Sequence, residues 1–287
     1  MARPATMPHD GVLILDKPAG VTSHDVVSAI RRILGTRKVG HLGTLDPAAT
    51  GVLPVVVGKA TRLARYLPAS PKEYTGEIQL GWETTTDDDE GTPLGKQEVA
   101  VTRARVEEAM RSLTGRIRQT PPAYSAKKVD GVRAYKLARE GRPVGLRPVT
   151  VEIDRFEIVA FNPPRIAFRV VCSTGTYVRS LARDLGRILD TGGHLISLRR
   201  TRAGVFGIEG AVRPDQVSPA DLIPPGRLLA GTRSMEVDDD GERLVRHGSR
   251  LPFPADASPL CIFNKKGELI AIARAENGWA HPEVVLI

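Results

Sequence analysis

Val149-Thr-Val-Glu-Ile153, Ile166-Ala-Phe-Arg-Val-Val-Cys172 and Thr174-Gly-Thr-Tyr-Val-Arg-Ser-Leu-Ala-Arg-Asp-Leu-Gly-Arg-Ile-Leu189 together decide the fold class. In the first two stretches apolar residues alternate: Val149, Val151 and Ile153, then Ile166, Phe168, Val170 and Cys172. Successive side chains of a strand point to opposite faces, so both read as half-buried strands. In the third the spacing changes. Val178, Leu181, Leu185, Ile188 and Leu189 recur at helical intervals, which predicts an amphipathic helix beginning at Thr174 or Thr176. Strands followed by a helix in one stretch mark a mixed α/β fold.

Working outward, Val12–Leu15 reads as a buried strand ending at Asp16-Lys17-Pro18, after a loose tail over residues 1–10. Ser23 is placed to cap a helix with Val26, Val27, Ile30, Ile33 and Leu34 on one face, stopped by Gly35. Residues 36–51 are glycine-rich and read as loop. Val52–Val57 reads as a buried strand, starting only at Val55 if Pro54 interrupts it. A short helix over Ala60–Leu67, a strand over Glu77–Leu80, an acidic loop over Thr84–Gly95 and a helix carrying Val106, Ala109, Met110 and Leu113 follow. Four prolines make Pro214–Pro225 a linker, and short strands lie near Leu260–Phe263, Leu269–Ala273 and Val284–Ile287. The expected organisation is a mixed domain over residues 1–230 and a small β-rich domain over 231–287.

The 287 residues are 41% hydrophobic, enough for a large core without metal or disulfide help. The longest apolar run, around Val52–Val57, is far below the roughly 20 residues of a membrane span. Val12–Leu15 is too short for the apolar region of a signal peptide, so a cytoplasmic protein is expected. Two cysteines, Cys172 and Cys261, offer neither a disulfide framework nor a zinc-ribbon spacing. The six histidines are scattered, and the adjacent acids Asp87-Asp88-Asp89-Glu90 lack the spacing of a calcium loop, so no metal is expected and the run reads as a solvated turn. Gly51–Thr61 has the outline of a phosphate loop, but six residues separate its glycines where four are required.

The net charge of +8 is concentrated. Residues 116–147 hold nine Lys/Arg and two acids, which is +7 of the total. Such a segment suits a polyanion such as nucleic acid, and equally a solvated loop. One carboxylate stands out, Asp46 in Gly40-His-Leu-Gly-Thr-Leu-Asp-Pro47, where Pro47 biases Asp46 away from the α region. Asp-Pro is also an ordinary turn starter. Tyr74 and Tyr177 offer faces on which an extruded base could stack, and Arg179 could hold a carboxylate or phosphate; packing and surface charge are the plainer readings.

Taken together, these segments resemble the TruB family of tRNA pseudouridine synthases. The motifs are Gly11-Val-Leu-Ile-Leu-Asp-Lys-Pro-Ala-Gly20, Lys38-Val-Gly-His-Leu-Gly-Thr-Leu-Asp-Pro47, Ala49-Thr-Gly-Val-Leu53, Lys72-Glu-Tyr-Thr75, Gln119-Thr-Pro-Pro-Ala-Tyr-Ser-Ala-Lys127, Gly175-Thr-Tyr-Val-Arg-Ser-Leu-Ala-Arg-Asp-Leu-Gly186 and Gly193-His-Leu-Ile-Ser-Leu-Arg-Arg200. They keep one order over about 190 residues. Leu42 departs from a small polar position and Thr85 from a frequent acid, while Asp88 keeps the family acid three positions before Gly91.

The resemblance implies a mixed, mostly antiparallel sheet with flanking helices and a small β-rich, PUA-like C-terminal domain that binds RNA. It implies conversion of uridine 55 in the tRNA T-loop to pseudouridine, without cofactor or metal. Asp46 matches the family nucleophile and Arg179 the arginine that pairs with it. Tyr74 matches the residue that stacks on the flipped uracil and helps remove the C5 proton. Tyr177 and Leu198 match further pocket positions, His41 matches a contact to substrate RNA, and Lys17 a structural or substrate-adjacent position. The basic segment 116–148 corresponds to a mobile thumb. The implied partner is the T-arm stem-loop of tRNA, bound by a monomer that needs no protein partner and no membrane. An RNA-binding folding helper and a guide-RNA-dependent synthase are the competing readings.

Overall fold

The computed structural model describes residues 10–287 except 126, 130 and 143. Nearly all of the expected 1–10 tail therefore lies outside the described residues.

A nine-stranded sheet organises the chain. Its principal strands are β1 (Gly11–Lys17), β2 (Val39–His41), β3 (Thr50–Val57), β4 (Lys72–Leu80), β5 (Gly115–Gln119), β6 (Val149–Asn162), β7 (Arg165–Cys172) and β8 (Gly193–Ala203). Their order is β1-β3-β8-β4-β7-β6-β5, with β2 also on β3 and the short strand Phe206–Gly207 on β8. Every pairing is antiparallel except β3 with β8, where Arg199 lies opposite Thr50 and Arg200 opposite Gly51. A mixed, mostly antiparallel sheet is thus observed.

The helices α1 (Ser23–Ile33), α2 (Arg103–Ser112) and α4 (Val178–Ile188) cover one face, while the short α3 (Ala134–Arg139) lies in the basic segment. Val26, Val27, Ile30, Val106, Met110, Leu181 and Leu185 meet Leu13, Leu15, Leu53, Val55, Phe168 and Val170 in one core. The alternate residues of β1 and β3, Val12, Val52 and Val56, face the other way into a second core. With both faces buried, β3 needs apolar residues at nearly every position, which explains its continuous run.

Several boundaries differ from expectation. Pro54 lies inside β3, opposite Ile14, and β2 stops pairing at Val55, one residue short of it. Residues 36–51 are not all loop, because Val39–His41 pairs with β3. The helix expected at Ala60–Leu67 is a 3-10 helix over Gly58–Leu63, and the strand expected over Glu77–Leu80 begins at Lys72. Thr22, not Ser23, caps α1, in a reciprocal capping box with Asp25. Helix α4 starts at Val178 because Gln119 takes the backbone N–H and carbonyl of Tyr177, at 2.8 and 3.1 Å.

The basic segment is not a single loop either. Residues 116–119 are part of β5 in the main sheet; only then does the chain leave it, for a hairpin (Lys128–Val129 with Val132–Arg133) and α3. The linker over 214–225 is stitched to the free edge of β1 by Val12–Ile223 hydrogen bonds of 2.9 Å in both directions, and Val212 bonds to Ile14 just upstream. Covering the edge removes a row of unpaired backbone groups.

The C-terminal residues form a five-stranded sheet from β9 (Ser234–Val237), β10 (Leu251–Pro252), β11 (Ala257–Asn264), β12 (Leu269–Glu276) and β13 (Trp279–Val285), with α5 (Asp239–Arg246) against it. Cys261, Ile272, Val284 and Leu286 join Val12, Val52 and Val56 in the second core. Among the described residues no helix is long and apolar enough to cross a membrane.

Candidate active site

The loop over residues 42–49 between β2 and β3 carries Asp46. Ser23 at the start of α1 fixes it from below: its buried hydroxyl accepts from the Leu45 N–H at 2.9 Å and donates to the Leu45 carbonyl at 3.0 Å. Lys17, fully buried at the end of β1, donates to the carbonyls of Pro18, Val21 and Pro47 at 2.8, 2.7 and 3.1 Å. Burial pushes its amine below the usual lysine range, while the charge of Asp46 opposes the shift. With three carbonyls on three donors, Lys17 is a structural clamp on the residue after Asp46.

Arg200 grips the other end of the loop. It is fully buried on β8, and it donates to Val52 at 2.6 Å, Gly43 at 3.0 Å and Thr44 at 3.4 Å, all backbone carbonyls. Gly43 has φ +111, a conformation that residues with a side chain rarely adopt, and that is what calls for glycine here. The Lys72 amine is pushed down to about 8 by burial, with Arg200 adding to the shift.

Helix α4 supplies the partner of Asp46. Arg179 Nε lies 3.0 Å from Asp46 Oδ2. The guanidinium also lies 3.3 Å from Asp88 Oδ2 and donates to the carbonyls of Thr86 at 3.1 Å and Tyr124 at 3.0 Å. The Arg179 side chain is 7% exposed and that of Asp46 45%. A buried cation with four acceptors therefore holds a carboxylate that is still partly open to solvent. Only the second half of the acidic run is solvated: Asp89 and Glu90 are exposed, whereas Asp87 and Asp88 are arginine acceptors and Asp87 is buried.

Two aromatic rings complete the surroundings. Tyr74 on β4 lies opposite Arg200 and Val170 on its neighbouring strands, with the Arg200 guanidinium carbon 6.0 Å from the ring centroid. Burial raises its phenol above the usual tyrosine range, and the charge of Asp46 adds to the shift. Tyr177, the N-cap of α4, is half-buried, and burial and the Asp46 charge raise it too, against Arg179. Leu198 lies opposite Gly76 and lines a groove of about 350 Å³ with Ala48, Thr50, Thr75 and Ser197.

The structure thus gathers Asp46, Arg179, Tyr74 and Tyr177, and sets Leu198 in a groove that starts two residues beyond Asp46. His41 is half-buried at the end of β2; burial and then the charges of Arg200, His24 and Lys72 lower its imidazole, and its buried Nδ1 has no partner among the described residues. Sequence reasoning missed Arg200, Ser23 and Gln119 as parts of this site. Arg200 closes a quoted motif, and that was its only signal.

A family model described as TruB family pseudouridylate synthase (N terminal domain) matches residues 31–178. A second, tRNA pseudouridylate synthase B C-terminal domain, matches residues 179–223. The chain is 46% identical to tRNA pseudouridine synthase B of Thermobifida fusca (strain YX), covering 96% of this chain and 98% of that one. It is 42% identical to the protein of the same name from Solibacter usitatus (strain Ellin6076), over 96% and 100%. Among solved structures it is similar to a crystal structure of a Cbf5-Nop10-Gar1 complex, with TM-score 0.73 and 28% identity over 99% of this chain and 88% of that one. A match that spans both the loop carrying Asp46 and the helix carrying Arg179 leaves one assignment: the chain belongs to the TruB family of tRNA pseudouridine synthases.

Proposed function

We propose that this enzyme isomerises uridine 55 in the T-loop of tRNA, with Asp46 as the nucleophile acting on a flipped-out base. The observation that carries the reading is the Asp46–Arg179 pair: an exposed carboxylate held at 3.0 Å by a buried guanidinium that two carbonyls and Asp88 also fix. The guanidinium fixes where that carboxylate points, the orientation that attack requires. A protein that only bound RNA would gain nothing from turning a carboxylate toward a phosphodiester.

The reaction breaks the N1–C1′ glycosidic bond, turns the base and joins C5 to C1′. The C5 proton leaves and N1 takes one up, so no group donor or oxidant is consumed. Extruding the base costs a few kcal/mol, which stacking on protein side chains offsets. Tyr74 presents the ring for that stacking; its burial favours the neutral phenol. Tyr177 and Leu198 shape the rest of the base pocket, and His41 meets the RNA beside it.

The thumb beyond Gln119 carries exposed Lys128, Arg133, Lys136 and Arg139, the charge that phosphates require. Residues 1–230 form the catalytic part on this reading and 231–287 a small RNA-binding part, where Arg250 lies 4.2 Å from the Trp279 ring centroid. Near-complete coverage of and by bacterial relatives named tRNA pseudouridine synthase B supports action on tRNA without a guide RNA. The test is tritium release from tRNA labelled at uridine C5, with purified protein and no guide RNA. Stoichiometric release by wild type and none by Asp46→Asn is expected; release by the mutant would remove Asp46 from its role.

A further inference from the structure

Two arginines stand one turn apart on α4, and each does two similar things. Arg179 takes Asp88 and the Tyr124 carbonyl; Arg183 takes Asp87, at 2.8 Å, and the Thr120 carbonyl, at 3.0 Å. Both guanidinium groups are buried. Consecutive residues of one loop thus meet residues spaced i and i+4 on one helix, the spacing that puts side chains on the same helix face.

The loop is not relaxed. Asp87 has φ +62, the left-handed region that non-glycine residues seldom occupy. That conformation lets Asp87 turn its carboxylate to Arg183 while its neighbours face Arg179: Thr86 through its carbonyl at 3.1 Å, Asp88 through its carboxylate at 3.3 Å. Burial pushes the Asp87 carboxyl up, and Arg183 is first among the charges that oppose this. The Asp87 carbonyl receives the Leu195 N–H at 3.1 Å, which anchors the same residue to β8. Arg183 also holds Asp184 at 2.9 Å on its outer side.

We infer that Arg183 is a positioning residue for the reaction: by holding Asp87 in its strained conformation it sets Thr86 and Asp88, and through them the orientation of Arg179 against Asp46. Arg183 itself touches no reacting atom. Its second bond, to Thr120, falls where the chain leaves β5 for the basic thumb, and Ser180 donates to the same carbonyl at 2.9 Å. One guanidinium therefore references the site to the root of the RNA-binding segment. The inference rests on Asp46 carrying the reaction.

The experiment is single-turnover tritium release from C5-labelled tRNA with enzyme in excess, alongside tRNA affinity by filter binding. Arg183→Gln is expected to slow release about 10- to 100-fold, the scale on which a misplacement near 1 Å acts, with affinity within about threefold. Arg183→Lys keeps the cation without the fork and falls between. Asp87→Asn, which tolerates the left-handed region, is expected to lose less than Asp87→Ala. Asp184→Asn, on the far side of the guanidinium, stays within about twofold. A merely structural arginine would lower rate and affinity together as folded protein is lost; that result, or a wild-type rate in Arg183→Gln, overturns the inference. Should Arg183→Gln fail to fold, Asp87→Ala decides by the same split between rate and affinity. Asp46→Asn runs in parallel: release by that variant sinks the nucleophile reading, whereas its silence with normal release by Arg183→Gln sinks only the positioning role.

Discussion

Asp46 and Asp88 share one guanidinium: Arg179 reaches the first through Nε at 3.0 Å and the second through Nη1 at 3.3 Å. A planar fork can serve two carboxylates at fixed angles, and a lysine cannot. Arg179→Lys should therefore lower kcat by about 100-fold or more, and Asp88→Asn by about 10-fold, the latter keeping the shape of the contact but not its charge. Steady-state kinetics on tRNA transcripts check this, with KM expected to move by less than about threefold in both.

Ser23 shows how a short buried hydroxyl can matter for turnover. It satisfies both backbone groups of Leu45, one residue before Asp46. Ser23→Ala leaves those groups buried and unpaired, at a cost of about 1–3 kcal/mol in stability. Urea unfolding should show the loss, and kcat should fall further than the folded fraction does, because the freed loop carries the carboxylate.

Arg200 is expected to matter for stability too. Its guanidinium meets three backbone carbonyls, of which that of Val52 is buried, so Arg200→Met strands that acceptor and frees the Gly43–Thr44 end of the loop. A destabilisation of about 1–3 kcal/mol is expected on unfolding in urea, since removing the donor leaves the buried Val52 carbonyl unpaired.

Lys72 gives a pH signature. Burial holds its amine at about 8 in the folded protein, below the ordinary lysine value of 10.5, so between these limits the unfolded chain binds the extra proton. Stability then rises with pH across that window, and the burial penalty is present in full below it. At 1.36 kcal/mol per unit the penalty is about 3 kcal/mol at pH 7. Lys72→Met should be more stable than wild type at pH 7 by up to that amount, the gain shrinking toward pH 10.5, as chemical denaturation at several pH values would show.

The basic segment predicts a salt dependence. Lys128 and Arg133 face each other across its hairpin and both are exposed. Neutralising either should weaken tRNA binding and reduce the slope of log K against log salt by about 0.7–0.9. Filter-binding titrations at several salt concentrations measure it.

Local periodicity made the elements legible. Val178, Leu181 and Leu185 announced α4, and the alternation of Ile166, Phe168 and Val170 announced β7. The cap of α1 was ambiguous because Thr22 and Ser23 are adjacent hydroxyls; the structure gives the cap to Thr22 and the loop to Ser23. The thumb root was misplaced because Arg116 and Arg118 look the same in a strand as in a loop. Asp46 and Arg179 stood out through the motifs they share with a family. Arg183, Asp87 and Arg200 did not, since the burial of an arginine is decided by carbonyls dozens of residues away. The first half of the acidic run was read as solvated for the same reason.

The second core, which Val12, Val52 and Val56 share with Cys261, Ile272, Val284 and Leu286, means that the two sheets are not separable modules. Cutting the chain after residue 230 would leave the outer face of β1 and β3 greasy and bare, and such a fragment should clump rather than work. Substitutions at the far rim of the C-terminal sheet should be tolerated better than those on the side that packs against β1 and β3. Heating the intact protein should melt both halves in one cooperative event.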